Sequence, residues 1–218
     1  MDKRSTKKSL SVQTLRRLPN YLNYLKGLDA SKDEYISASA LAAQLRLNEV
    51  QVRKDLAAVS PTKGKPRAGF EIRQLIIGLE EHLGYNSIDE AILVGAGKLG
   101  RALLSYEGFK NAGLNIVAAF DTNPDLQNKS LDGKFVFPLD RLVNLSQRMK
   151  IHIGIITVPA EAAQEVCDLL VEGGVLAIWN FAPVVLQVPE HVYLRNENMA
   201  ASLALISQHL QEKFTEEA

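Results

Sequence analysis

Ala91-Ile-Leu-Val94-Gly95-Ala-Gly97-Lys-Leu-Gly100 decides the fold of the larger part of this chain. Four apolar residues make a short run suited to a strand buried on both faces. Three glycines at G-x-G-x-x-G spacing follow at once, and a helical pattern opens behind them. In that setting each glycine has a physical task. Gly95 permits the tight turn, Gly97 lets the backbone approach a pyrophosphate, and Gly100 lets the helix pack close to the sheet. Ala96, Lys98 and Leu99 complete the loop, whose helix N-terminus offers free N–H groups to phosphate. Asp121 ends the next apolar run, about 20 residues on, where an acid accepts hydrogen bonds from the adenine ribose hydroxyls. A carboxylate there repels a 2′-phosphate, so the expected ligand is NAD(H) and not NADP(H).

Working outward, apolar runs recur at Asn115–Phe120, Phe135–Phe137, Ile151–Val158 and Val175–Trp179, separated by helical patterns at Lys98–Glu107, Leu139–Met149 and Ala160–Glu172. This alternation predicts an α/β Rossmann domain with a doubly wound parallel sheet. Thr157-Val158-Pro159 and Asn180-Phe181-Ala182-Pro183 end the fourth and fifth strands, near a switch-point crevice, and join the expected cofactor residues. Pro159 taken alone reads equally well as a strand terminator.

Before the glycine loop the pattern differs. Leu15, Leu18, Leu22 and Leu25 recur at helical spacing, with Pro19 marking either a first turn or a kink and Gly27 closing the segment. Ser37 and Ser39 are candidate caps for a short helix through Leu45, and Arg46-Leu47 makes a tight turn. Asn48 then caps a second helix to about Val59. Two short helices so close together fit a helix-turn-helix. Val52, Leu56 and Val59 share the apolar face of the second, leaving Asn48 at its start and Val50, Gln51, Arg53 and Lys54 expected to meet DNA in a major groove. Pro61–Phe70 follows as a glycine- and proline-containing basic loop. With Lys63, Lys65 and Arg67 it reads as a wing on DNA phosphates, or as an ordinary surface loop. Residues 73–83 are expected to be helical and Gly84–Ser87 to be a linker. The expected division is 1–84 for a winged helix, 85–197 for the Rossmann domain and 198–218 for a last helix.

The balance of charge agrees with a polyanion partner. The net charge is zero, yet residues 1–85 hold 15 Lys/Arg against 9 Asp/Glu and the remainder holds 10 against 16. The first part is therefore basic at +6 and the second acidic at −6. Hydrophobic residues at 46% support packed cores. Apolar runs fall short of the roughly 20 residues that cross a membrane. The charged start Met1-Asp-Lys-Arg4 lacks a signal-peptide pattern, residues 1–9 read as frayed, and the expected location is the cytoplasm. Cys167, the single cysteine, lies in an apolar helical pattern and reads as a buried small hydrophobe.

Several of these segments together resemble the Rex family of redox-sensing repressors. Arg17-Leu-Pro resembles the start of that family's first helix, which adds Arg17 to the expected DNA-binding residues. Gln51-Val-Arg-Lys-Asp-Leu56 resembles its recognition helix, and Gly95–Leu103 its glycine loop, with Tyr106 shortly after. Ala118-Ala-Phe-Asp121, Thr157-Val-Pro-Ala160, Asn180-Phe-Ala-Pro-Val184 and Val188-Pro-Glu190 follow in order, so the likeness runs from about residue 10 to 212. It implies a homodimer on a palindromic double-stranded operator, released when NADH binds, with NAD⁺ competing for the pocket. It also implies Tyr106 near the nicotinamide and a last helix swapped into the partner. Met199, Leu203, Ile206 and Leu210 form a stripe suited to such burial, or to packing on their own domain.

Two segments depart from the family. Its wing usually reads Lys-Arg-Gly-x-Gly-Tyr, whereas this chain has Lys65-Pro-Arg-Ala-Gly-Phe70 after a one-residue insertion. Asn198 stands where an acid commonly precedes the last helix and couples the pocket to the first helix, which predicts weaker redox switching. The rival reading is an NAD-dependent oxidoreductase. Such an enzyme needs a general acid or base. His152 falls in a strand pattern, His82 and His209 in helices and His191 in a loop, none beside a recognisable partner. No catalytic residue and no metal site is therefore expected.

Overall fold

The computed structural model describes residues 10–28 and 34–216. The expected fraying of residues 1–9 lies outside them. The chain divides into two compact units, residues 1–87 and 88–218.

The first unit runs α1 (Val12–Lys26), β1 (Tyr35–Ile36), α2 (Ala38–Leu45), α3 (Glu49–Val59), β2 (Phe70–Glu71) and α4 (Ile72–Leu83). Ser11 caps α1 by accepting from the Thr14 N–H at 3.1 Å. Pro19 is the eighth residue of this helix, not in its first turn. The helix survives it because Leu18, Tyr21, Leu22 and Leu25 are buried on one side. Ser37, not Ser39, caps α2. Arg46 ends α2 in the left-handed region and Asn48 caps α3, which makes the helix-turn-helix. Val52, Leu56 and Val59 dock α3 on the core. β1 pairs antiparallel with β2, and between α3 and β2 the chain folds into a hairpin closed by a bridge between Lys65 and Gly69. The α1-β1-α2-α3-wing-β2-α4 order is that of a winged helix.

The second unit runs β3 (Asp89–Val94), α5 (Lys98–Leu104), α6 (Gly108–Asn111), β4 (Leu114–Asp121), β5 (Ser130–Leu131), β6 (Lys134–Pro138), a 3₁₀ turn (Leu139–Arg141), α7 (Leu142–Met149), β7 (Ile153–Ile156), α8 (Ala160–Glu172), β8 (Ala177–Asn180), β9 (Tyr193–Asn196) and α9 (Met199–Glu216). The strands order as β5-β6-β4-β3-β7-β8-β9, all parallel except β5. The order reverses about β3, so the switch point lies between β3 and β7. Two strands had no counterpart among the expected ones. β9 extends the parallel edge after a loop whose Ala182, Leu186 and Val192 are buried in place of a crossover helix. β5 folds antiparallel on the opposite edge.

Two expectations need correction. The helix expected over Lys98–Glu107 ends at Leu104: Ser105 caps it, with its N–H on the Arg101 carbonyl at 3.1 Å and the Tyr106 N–H on that of Leu103 at 3.3 Å. Tyr106 therefore sits in a break before α6. His152 is exposed and precedes β7; its carbonyl, not its ring, joins the sheet by accepting from Leu176 and Ala177. Among the described residues no helix is long and apolar enough to cross a membrane, and no three His, Cys, Asp or Glu side chains cluster to hold a metal.

Candidate functional site

At the carboxyl ends of β3 and β7 lies a cleft of about 280 Å³. Gly95, Gly97, Asp121, Thr157, Val158 and Pro159 line it, all of them singled out from the sequence. Gly95 sits at φ +101°, a conformation L side chains rarely adopt, and a Cβ there would meet the Thr157 carbonyl at 2.8 Å. A Cβ on Gly100 would lie 2.0 Å from the Gly95 carbonyl oxygen, so only hydrogen fits where α5 crosses the strand end. At Gly97 an added Cβ would meet nothing within 4 Å. The space beside it is open toward the cleft, as a phosphate cradle requires.

Asp121 is held firmly. Its Oδ2 accepts from the Ala96 N–H and its Oδ1 from the Asn123 N–H, both at 2.7 Å. The carboxylate thus ties the tip of β4 to the glycine loop while keeping lone pairs for a ligand's hydroxyls. Thr157 donates its hydroxyl to the Gly95 carbonyl at 2.7 Å and approaches that of Val94 at 3.1 Å, locking β7 to β3 across the switch point. Val94, Thr122 and Leu139, with Ala162, Glu165 and Val166 of α8, complete the lining. Sequence reading missed them, although Ala162, Glu165 and Val166 lie on one helical face directly behind Pro159.

The remaining expected cofactor residues fall outside that cleft. Ala96 is buried, Lys98 and Leu99 start α5, and Gly100 is packed under the loop. Tyr106 is 59% exposed and begins a chain of edge and tilted ring contacts through Phe109 and Trp179 to Phe181, with centroid separations of 4.9, 5.5 and 4.8 Å. That chain brings the break after α5 beside the end of β8. Asn180 is fully buried and committed to its own loop. It accepts from the Ala182 N–H at 2.9 Å and donates toward the Val184 carbonyl and Asn196 Oδ1, each also at 2.9 Å. Phe181 and Ala182 are held by backbone hydrogen bonds, and Pro183 is exposed.

In the first unit the polar side chains sort onto two grooves flanking α3. One, of about 450 Å³ and beside α1, is lined by Arg17, Asn48, Val50, Gln51 and Lys54. The other, of about 500 Å³ and beside the wing, is lined by Arg53, Lys65 and Arg67. Lys63 is exposed on the wing but lines neither groove. Arg53 pairs with Glu49 one turn back, an exposed contact easily exchanged for another partner. Lys65 donates to the Tyr35 hydroxyl, and that bond raises the lysine's pKa. Arg67 turns the hairpin tip in the left-handed region at φ +65°.

Arg17 is placed differently from the exposed cations. Its Nε donates to Asp55 Oδ2 at 2.8 Å and its Nη2 to Oδ1 at 3.1 Å, across the seam between α1 and α3. Tyr21 donates to the same carboxylate at 2.9 Å. Burial first, and then the hydrogen bond to Asp55, push the Tyr21 pKa up to about 12. Asp55 and Tyr21 escaped sequence reading because an acid inside an amphipathic helix looks like a solvated position.

The protein resembles known ones along nearly its whole length. A family model described as "CoA binding domain" matches residues 86–184, and one described as "Putative DNA-binding protein N-terminus" matches residues 9–57. A "Redox-sensing transcriptional repressor Rex" of Treponema denticola is 38% identical over 203 residues, covering 93% of this chain and 96% of that protein. Another of the same description from Bacteroides fragilis is 40% identical over 197 residues, covering 90% and 89%. Among solved structures, RSP in complex with β-NAD⁺ and operator DNA has a TM-score of 0.88 at 33% identity, covering 97% of each chain. RSP in complex with β-NADH has a TM-score of 0.85 at 33% identity, covering 97% of this chain and 98% of that one.

Proposed function

Because this chain belongs to the Rex family of redox-sensing transcriptional repressors, we propose that it binds operator DNA as a homodimer and lets go when NADH occupies its Rossmann unit. It is a regulator and not an enzyme. The observation that carries this reading is the pairing of two sites in one chain. One unit has the glycine cradle with a fixed acid, and the other an exposed basic helix and wing. Open space at Gly97 and the held carboxylate of Asp121 fit the pyrophosphate and adenine ribose of NAD(H). Val158 and Pro159 wall the cleft, and Tyr106 with the Asn180–Pro183 loop, which lie outside it, would hold the nicotinamide end. When bound, the cofactor supplies the redox state as a signal, and these residues hold it without chemistry of their own.

On DNA, Arg53, Lys54, Val50 and Gln51 address base edges, while Lys63, Lys65 and Arg67 contact phosphates or the minor groove. Two half-sites need two linked recognition helices, so the palindrome matches the dimer's symmetry. The apolar side of α9 supplies the link, swapped into the partner. Leu203, Ile206, Leu210 and Phe214 are 48–68% exposed in the single chain. Met199 belongs to the same stripe, but its side chain lies outside the described residues.

A ligand moves the protein off DNA only by favouring the form that cannot bind it. NADH and NAD⁺ differ by a hydride and a ring charge, so discrimination falls to the nicotinamide side of the site. Asn198 caps α9 by accepting from the Ala201 N–H at 3.0 Å. A neutral cap where the family commonly has an acid weakens the electrostatic part of the switch, and release by NADH is expected to be shallower than in relatives with the acid. A DNA-binding regulator of this kind works in the cytoplasm. The test is titration of a palindromic operator with the protein at fixed salt, alone and with each cofactor. NADH is expected to weaken binding more than NAD⁺ does. Equal effects of the two would overturn redox sensing.

A further inference from the structure

The seam between α1 and α3 holds more polar chemistry than the docking of two helices needs. Asp55 is 5% exposed and receives Arg17 through Nε and Nη2, Tyr21 through its hydroxyl, and the Thr14 hydroxyl at 3.3 Å. A two-point carboxylate contact fixes the plane of the guanidinium. The guanidinium's far edge faces the Gln51 amide, and that amide is assigned with its oxygen inward, because only this orientation gives the donors an acceptor: the oxygen then receives Nη1 at 2.9 Å and Nη2 at 3.1 Å. Both lone pairs of that oxygen are thereby taken.

Gln51 is exposed and is the third residue of α3, in the turn from which a recognition helix addresses bases. A free glutamine pairs with adenine through two bonds, its oxygen accepting from N6 and its nitrogen donating to N7. Here only the NH₂ group remains to face the groove. We propose that Arg17, oriented by Asp55, fixes Gln51 as a pure hydrogen-bond donor, so that Gln51 selects a base whose major-groove edge offers only acceptors, guanine or thymine.

This rests on the DNA-binding reading above and adds to it the chemistry of one base position. Guanine presents O6 and N7, and thymine presents O4 beside a methyl group. Val50, 58% exposed next to Gln51, suits that methyl. Adenine and cytosine each bring an amine that the held oxygen cannot receive. Arg17 is in this sense a positioning residue, acting on specificity through Gln51.

The experiment is selection from a randomised palindromic operator library with the full-length native protein, Gln51→Glu and Arg17→Met. Gln51→Glu keeps an acceptor for Arg17 but presents only acceptors to DNA. One position per half-site is expected to change from guanine or thymine to cytosine or adenine, by about 5- to 100-fold in relative affinity. Arg17→Met frees the oxygen, and the same position is expected to move toward adenine while other positions hold. Adenine or cytosine preferred by the native protein at the position that Gln51→Glu alters would overturn the proposal. So would a Gln51→Glu protein with native preferences, or a folded Arg17→Met protein that still selects guanine or thymine there. Should Arg17→Met fail to fold by circular dichroism, the exposed Gln51→Glu change decides. If the native protein enriches no sequence at all, the DNA-binding reading falls and takes the proposal with it. Enrichment with unaltered preferences removes the proposal alone.

Discussion

Alanine at Gly97 and alanine at Gly100 are expected to fail in opposite ways, although the two residues lie three apart in one loop. At Gly97 the backbone is at φ −69°, open to any residue, and the new methyl meets nothing within 4 Å. Its cost without cofactor is the poorer cap that alanine makes at the start of α5, about 0.5–1 kcal/mol. In a unit of this size that is a fall in Tm of no more than about 4 °C. At Gly100 the methyl would stand 2.0 Å from the Gly95 oxygen and 3.1 Å from a Leu93 methyl. Alanine's better helix propensity returns at most about 1 kcal/mol. Overpacking against backbone costs about 1–3 kcal/mol or more, so the clash wins and Gly100→Ala melts lower. NADH affinity separates them again. The methyl added by Gly97→Ala occupies the approach of the pyrophosphate and removes one charge-assisted hydrogen bond or more, about 1.5–3 kcal/mol, or roughly 10- to 100-fold in Kd. Calorimetric melting of the cofactor-free variants and NADH titration by fluorescence measure the two effects. Native NADH affinity in Gly97→Ala would refute the cradle. A Gly97→Ala protein that melts with Gly100→Ala would refute the packing argument.

Other substitutions probe the rest of the molecule. Asp121→Ala is expected to weaken NADH and narrow its advantage over NADPH, and equal native affinity for the two cofactors would remove the ribose assignment. Lys65→Ala should weaken binding to all DNA sequences and reduce the slope of log K against log salt by about 0.9, whereas Arg53→Ala should cost about 1–3 kcal/mol at one base position. Deleting residues 199–218 should abolish the dimer and operator binding together; a truncated chain that still sediments as a dimer rules out α9 as the link. Tyr21 holds its proton up to about pH 12 in the folded protein, against an ordinary value of 10.0. The folded state thus binds the proton more tightly, so this stabilisation is complete below pH 10 and is lost as pH rises through about 12. Denaturant titrations of the native protein should show a steeper alkaline loss than those of Tyr21→Phe, and parallel curves would discount the phenol.

Much of the architecture was legible because its signals are local. The glycine spacing, the distance to Asp121, the Asn48 cap and the Val52–Leu56–Val59 face depend on short stretches of chain, and the structure places each of them as read. Elements fixed by distant partners were not legible. β1 is two residues long and exists only because β2 pairs with it. β9 is recruited to the sheet edge by a buried loop, and no periodicity marks it. The apolar pattern runs on past Ser105, but the helix stops there, and Tyr106 consequently lies in the break before α6. Asn180 was legible as a strand end, but not that its amide would bond Ala182, Val184 and Asn196. The Arg17–Asp55 pair joins residues 38 apart, which no spacing rule connects.

That pair also bears on how such a regulator can change over generations. Asp55 is nearly sealed from solvent, so loss of Arg17 would strand a carboxylate in the seam, and loss of Asp55 would unseat the guanidinium that steadies α3. Drift at either residue alone is penalised in folding before any new operator is recognised. Exposed Gln51 carries no such burden. On the proposed role of Gln51, lineages can therefore explore new target sites at residue 51 one substitution at a time, while residues 17 and 55 are free to vary only as a couple.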